Sequence, residues 1–250
     1  MYRPRIIPVL LLQNNGLVKT QRFKSHNYIG DPINAVRLFN EFKADELVFL
    51  DIQASKSGRC IAEELVQAIS AETRMPFAVG GGISNCHQIR TLMNAGAEKI
   101  IIGNAAIDNP NFVAEATSQF GASSIAVCID VVKTMFGKQV VYQHKKNKKT
   151  RINPVEFAQL MEQNGVGELI IQSVDNDGMM TGYDAALIQQ IAARVNIPIV
   201  ALGGASSLEN MKTVYQQSFP SGLAAGSLFV YHGQMKGVLI NYPDTKSFFL

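Results

Sequence analysis

Four carboxylates and two glycine runs carry the chemistry open to this chain. Asp51 closes the apolar run Glu46–Asp51 (ELVFLD), and Asp130 closes Ser124–Asp130 (SIAVCID). A carboxylate directly after a buried strand is desolvated, which raises its pKa toward general acid or base use. The alternative for Asp130 is a helix cap or a loop ion pair. Asp175-Asn176-Asp177-Gly178 places two acids two residues apart but lacks the remaining ligands and closing Glu of a calcium loop. It reads as a turn or a hydroxyl-binding loop. Gly80-Gly81-Gly82 follows Met75–Val79, and Gly203-Gly204 follows Ile197–Ala201. Glycines between a strand and a helix let backbone N–H groups approach an anion. The alternative is a pair of tight turns with no ligand. Gly103-Asn104, Gly178 and Gly226-Ser227 stand at further strand ends or turns and join Gly82 and Gly204 as phosphate-binding candidates. Lys19, placed in the loop after the first strand, would neutralise a phosphate or be solvated.

These groups need a scaffold that brings strand ends together. Arg5–Leu12 is an apolar run expected for a strand buried on both faces. Further strands are expected at Glu46–Asp51, Phe77–Val79, Lys99–Ile102, Ser124–Asp130, Glu168–Gln172, Pro198–Ala201 and Leu223–Ala225, with helical patterns between them. Pro32 and Pro154, Glu46 and Glu168, Pro76 and Pro198, and Gly81 and Gly203 are each 122 residues apart. The expectation is an α/β fold, a (β/α)8 TIM barrel built from two (βα)4 half-barrel repeats, with residues 1–250 as a single domain. In such a barrel the active site lies at the C-terminal ends of the strands. Arg5, Glu46, Lys99 and Glu168 start strands, so they should ring the opposite mouth, either for stability or as a gated passage. His144 to Lys149, with Lys138–Tyr142, reads as a hairpin inserted after the fifth strand.

Composition narrows the function. The 250 residues are 47% hydrophobic and 17% charged, with net charge +3 and no Trp, which argues against nucleic acid as a partner. Cys60, Cys86 and Cys128 show no CxxC spacing and the four histidines are scattered, so no metal and no disulfide framework is expected. No cofactor is expected. The early apolar run Ile6–Leu12 is too short for a signal segment or a membrane span. A cytoplasmic protein with no membrane partner is expected.

The chain resembles the HisF family, the cyclase subunit of imidazole glycerol phosphate synthase, along nearly its whole length. The resemblance rests on Arg5-Ile6-Ile7-Pro8, Gly16-Leu17-Val18-Lys19, Gly30-Asp31-Pro32, Ala44–Ile52, Val79–Ile83, Asp175–Gly178 with Gly182-Tyr183-Asp184, and Gly203-Gly204-Ala205. It implies a phosphorylated substrate gripped at two ends and a HisH-type glutaminase docked as a heterodimer on the N-terminal mouth. It also implies ammonia passage through a gate formed by Arg5, Glu46, Lys99 and Glu168. Asp130 matches one of two catalytic aspartates and Lys19 a substrate-contacting lysine; Asp177 joins them as a catalytic candidate. The other catalytic aspartate is absent, because Leu11 occupies its place in Ile7-Pro8-Val9-Leu10-Leu11-Leu12. Gly103-Asn104 departs from the usual pattern, and the tail lacks the long final amphipathic helix. These departures resemble a HisF-like branch linked to acetamidino modification of surface-polysaccharide sugars, in which a separate amidotransferase takes part.

Overall fold

In the computed structural model the described residues are 3–233 and 235–244, so the extremities of the expected 1–250 domain lie outside them. The chain begins with β1 (Arg5–Gln13), folds back through β2 (Gly16–Gln21) and β3 (Lys24–Gly30), and enters α1 (Pro32–Phe42). It continues through β4 (Leu47–Asp51), α2 (Glu63–Glu72), β5 (Phe77–Gly80), α3 (Cys86–Asn94), β6 (Lys99–Ile102), the short α4 (Asn104–Asp108) and α5 (Pro110–Phe120). The second half holds β7 (Ile125–Lys133), β8 (Gln139–Gln143), β9 (Lys148–Lys149), α6 (Pro154–Gln163), β10 (Glu168–Ser173), α7 (Ala185–Ala192), β11 (Ile199–Leu202), α8 (Leu208–Ser218) and β12 (Gly222–Ala225). A 3-10 turn at Ser227–Phe229 and the pair β13 (Tyr231–His232) and β14 (Gly237–Val238) follow.

Eight parallel strands close on themselves in the order β1, β4, β5, β6, β7, β10, β11, β12, with β12 returning to β1. Closure removes the free edges that either half would expose alone. The repeat seen in the sequence extends to the elements. The pairs α1 and α6, α2 and α7, and α3 and α8 start at 32 and 154, 63 and 185, and 86 and 208. In the first and third pairs the caps repeat as well: Asp31 accepts from Asn34 N–H and Asn153 from Val155 N–H, while Asn85 caps α3 and Ser207 caps α8. Such side-chain acceptors satisfy N–H groups that a first helical turn leaves unpaired.

Side chains alternate along each strand between two cores. Ile7, Val9, Val48, Ala78, Ile101, Ala126, Ile170, Val200, Leu202 and Ala224 fill the barrel interior. Leu10, Phe49, Val79, Ile100, Val127 and Leu169 point outward against the helices. The interior is therefore packed, and only the two mouths can hold polar chemistry.

The first half holds a hairpin where the sequence predicts a loop. Lys19 lies on β2, whose partner β3 closes it, and β2 also pairs with β1. Its turn uses Arg22 and Phe23 at φ 50° and 60°, and the β1–β2 turn uses Asn14 and Asn15 at φ 49° and 63°. These are left-handed pairs suited to two-residue hairpins, but neither is the Asn-Gly or Asp-Gly that announces one. Among the described residues no α-helix follows β12, as the tail sequence suggests. Instead Leu239 and Asn241 donate N–H to the Val230 and Phe229 carbonyls. Tyr242 packs between Phe39 and Phe229, with ring centroids 6.4 and 5.6 Å away.

Candidate active site and gate

The expected residues line two compartments of the upper mouth, and a further cavity of about 240 Å³ adjoins Lys19, Thr20 and Gly178 on the side of Asn27 and Tyr231. The larger, about 330 Å³, is lined by Asp51, Gly82, Gly103, Asn104, Cys128, Asp130 and His144. The smaller, about 30 Å³, is lined by Lys19, Asp177, Gly178, Gly203, Gly204, Gly226 and Ser227. Leu11, Thr20 and Gln172 border both. Every expected catalytic and phosphate-binding residue thus reaches one mouth, one glycine run on each side.

The glycines serve packing before ligand. A Cβ on Gly82, at φ 68°, would run into the Arg59 carbonyl, and one on Gly204 into the Gly182 carbonyl. These glycines are demanded by crossing backbone. Gly103 has open space where a Cβ would stand, and at Gly226 a Cβ would lie 2.6 Å from Lys19 Nζ. Gly103 thus leaves room for a ligand, whereas the missing side chain at Gly226 makes way for the Lys19 ammonium. Asn104 directs its carbonyl oxygen to the Lys145 N–H at 2.9 Å, which ties the β8–β9 insertion to the first compartment.

Asp130 sits deep in the first compartment with its carboxyl on the cavity. Burial pushes it up to about 7; the nearby Asp177 adds to the rise, and the Cys128 thiol, donating to Oδ1 at 3.6 Å, opposes it. Cys128 and Asp130 lie two apart on β7 and share its inner face. Gln172 stands opposite Asp130 in register on β10, and its Nε2 donates to Asp177 Oδ1 at 3.4 Å. Lys19 is buried and donates from Nζ to the Val9 carbonyl at 2.6 Å. Burial lowers it to about 8, against the pull of Asp177. Asp177 accepts from Thr20 Oγ1 at 2.9 Å and lies 3.4 Å from the Phe23 N–H, so it also clasps the β2–β3 turn. A carboxyl that titrates near neutrality in one compartment and a buried ammonium in the next are groups that can move protons at neutral pH and balance a phosphate.

Leu11 lines the same compartment as Asp130 and packs against the apolar interior with Leu50 and Cys128. Asp51 is held by Arg59, whose Nη1 donates at 2.5 Å, and it caps the Gln53 and Ala54 N–H groups. That contact set makes Asp51 a loop organiser. Among the described residues no cluster of three or more His, Cys, Asp or Glu side chains could hold a metal ion.

At the opposite mouth the four charged residues close a ring. Arg5 pairs with both Glu46 and Glu168, and Lys99 reaches Glu168 at 2.6 Å and Glu46 at 3.6 Å. The two glutamates are buried. Above the ring lies a cavity of about 10 Å³, walled by Ile7, Val9, Val48, Ala78, Ile170 and Ala224. That is close to the room needed by one water-sized molecule.

A family model described as histidine biosynthesis protein matches residues 5–236. A protein of Leptospira borgpetersenii, provisionally named imidazole glycerol phosphate synthase subunit HisF, is 47% identical over 98% of this chain and 96% of its own length. A Pseudomonas aeruginosa protein with the provisional name of HisF subunit hisF2 is 41% identical over 98% and 97%. The imidazole glycerol phosphate synthase subunit HisF of Petrotoga mobilis is 38% identical over 92% of each chain. This chain belongs to the HisF family.

Within this HisF-type barrel, several mouth residues escaped the sequence reading. Cys128 could have been found, since it precedes Asp130 by two on one strand. Gln172 could not, because its place beside Asp130 depends on strand register. Phe23 and His144 meet edge-on at 5.4 Å over the mouth, joining the two hairpins. His144 Nε2 lies 3.2 Å from the Ile52 carbonyl, and burial lowers its pKa. The Phe23 contact could not be read without the β2–β3 hairpin, nor the Ile52 contact without the fold that brings residue 144 to the end of β4.

Proposed function

We propose that this chain is the synthase subunit of a glutamine amidotransferase system. It receives ammonia through the barrel from a HisH-type glutaminase docked at the Arg5, Glu46, Lys99 and Glu168 ring. The reaction served is acetamidino modification of a surface-polysaccharide sugar, such as that of a lipopolysaccharide O-antigen, completed with a separate amidotransferase. The observation that carries this reading is Leu11. A leucine neither accepts nor donates a proton, so acid–base cyclisation with two facing carboxylates loses one partner. The ring and the small cavity above it agree with ammonia passage, which needs neither acid. The Petrotoga mobilis relative bears the name of a synthase subunit, which supports a glutaminase partner here.

A second reading is a working cyclase, a lyase of histidine biosynthesis. It is favoured by Asp130, whose carboxyl titrates near neutrality beside Asp177 and Lys19 in one mouth. In that case Asp130 alone moves the protons, with Gly82, Gly103, Asn104, Gly178, Gly204, Gly226 and Ser227 gripping the two phosphates. The deciding measurement mixes the protein with a HisH-type glutaminase, glutamine and phosphoribulosyl-formimino-aminoimidazole-carboxamide ribotide. The first reading expects no imidazole glycerol phosphate above background. Robust formation of that product would overturn it in favour of the cyclase.

A further inference from the structure

The insertion after β7 carries more charge than the mouth uses. Seven lysines and arginines lie between Lys133 and Arg151, with no carboxylate among them. The whole chain has 23 Lys and Arg against 20 Asp and Glu, so outside this stretch 16 cations face 20 acids. The rest of the molecule is therefore net negative, and all of its excess positive charge belongs to this one stretch. Lys145 and Lys146 are tied to the mouth, through Asn104 and Asp108. Lys138 and Lys148 are exposed.

At the far end of the hairpin, residues 134–137 form a tight turn. Gly137 N–H donates to the Thr134 carbonyl at 3.0 Å, and Thr134 N–H to the Lys138 carbonyl at 2.8 Å. The turn presents Met135 and Phe136 together, each 90% exposed. Beneath them Val131, Val132, Val140 and Val141 are buried, so the tip stands on a packed base. Two large apolar side chains held in water on an ordered turn, among lysines, lack any use in the mouth.

The surroundings select the partner. Protein interfaces are depleted in lysine and need a broad apolar centre, which two tip residues do not supply. Single-stranded nucleic acid is gripped by several aromatic platforms, and the tip has one ring. An anionic lipid surface takes both features at once: small apolar wedges enter the acyl boundary while lysines extend to the headgroups. We infer that the β7–β8 hairpin is a peripheral attachment site for anionic membrane surfaces, with Met135 and Phe136 as the wedge and with Lys138, beside the tip, and Lys148, further along on β9, as headgroup contacts. Among the described residues no helix is long and apolar enough to cross a membrane, so such contact is made at the surface. The inference stands apart from the reaction the barrel serves.

The test is sedimentation of the full chain with vesicles of phosphatidylcholine alone or mixed with phosphatidylglycerol. Binding to the mixed vesicles should exceed binding to the neutral ones by about tenfold and weaken with added salt. The double variants Met135→Ser with Phe136→Ser, and Lys138→Glu with Lys148→Glu, should each remove most of that difference while circular dichroism stays unchanged. Equal binding to both vesicle types, or double variants that bind like the parent, would overturn the inference. So would a lysine-dependent affinity for an oligonucleotide that ignores the Met135 and Phe136 changes, without vesicle binding.

Discussion

Asp130 is the residue on which the two functional readings meet, and its titration has a measurable effect on the fold. A free aspartate titrates near 3.9, whereas burial brings Asp130 up to about 7 in the folded chain. Between these values the folded state holds more protons than the unfolded one, so this group's contribution to stability falls as pH rises, and the penalty is complete above the folded pKa. The ceiling is about 4 kcal/mol; because the carboxyl borders an open compartment, water lowers the expected figure to about 2 kcal/mol. Asp130→Asn should therefore match the parent in urea unfolding near pH 4 and exceed it by that amount near pH 8. A gain of equal size at both pH values would show that the substitution acts through packing and not through the proton. The place of Asp130 was legible because it closes an apolar run, although the strand itself continues to Lys133, where Val131 and Val132 pair with β8 instead of ending in a loop. Its tuning was not, since Cys128, Gln172 and Asp177 converge from two strands and a loop.

At the scale of elements, each half-barrel follows its first strand with an antiparallel hairpin, β2–β3 after β1 and β8–β9 after β7. The second was legible from its lysine run and alternating flank. The first was not, because Arg22 and Phe23 occupy left-handed turn positions without a glycine to mark them. That omission moved Lys19 from a buried strand into a loop. The tail tells the converse story. Its lack of a helical repeat was readable, but what covers β1 and β12 instead was not. Tyr242 does part of this work: its hydroxyl donates to the Ile6 carbonyl at 2.8 Å and accepts from the Asp45 N–H at 3.0 Å. Ile6 and Asp45 each neighbour a ring residue, Arg5 or Glu46. Tyr242→Phe keeps the ring packing and leaves both backbone groups unpaired, so a loss of about 1–2 kcal/mol is expected. It would be read as a lower urea midpoint at unchanged slope. A midpoint within error of the parent would mean that water replaces the hydroxyl there.

The whole molecule places two polar mouths at opposite ends of one packed interior. The 122-residue repeat made this layout legible, since it fixed which residues begin strands and which end them. Arg5, Lys99, Glu46 and Glu168 at strand starts could only meet at one mouth, and the glycine runs only at the other. The ring's closure required coordinates, because a ring needs four side chains to reach across the axis. Of the two glutamates Glu168 is the more tightly held, accepting hydrogen bonds from both Arg5 and Lys99. Glu168→Gln preserves shape and removes the charge that holds both cations. If the ring meters ammonia delivered by a HisH-type glutaminase, the nitrogen of glutamine should reach the acceptor about tenfold less efficiently, a change of about 1.4 kcal/mol. Turnover supported by added ammonium, which enters at the upper mouth, should stay within about twofold. The two rates can be followed together with amide-labelled glutamine, comparing label in product with label released as ammonium. A variant that transfers label as well as the parent would leave the ring a structural clasp. Equal loss of both rates would point to a damaged upper mouth, since the interior core joins the two ends.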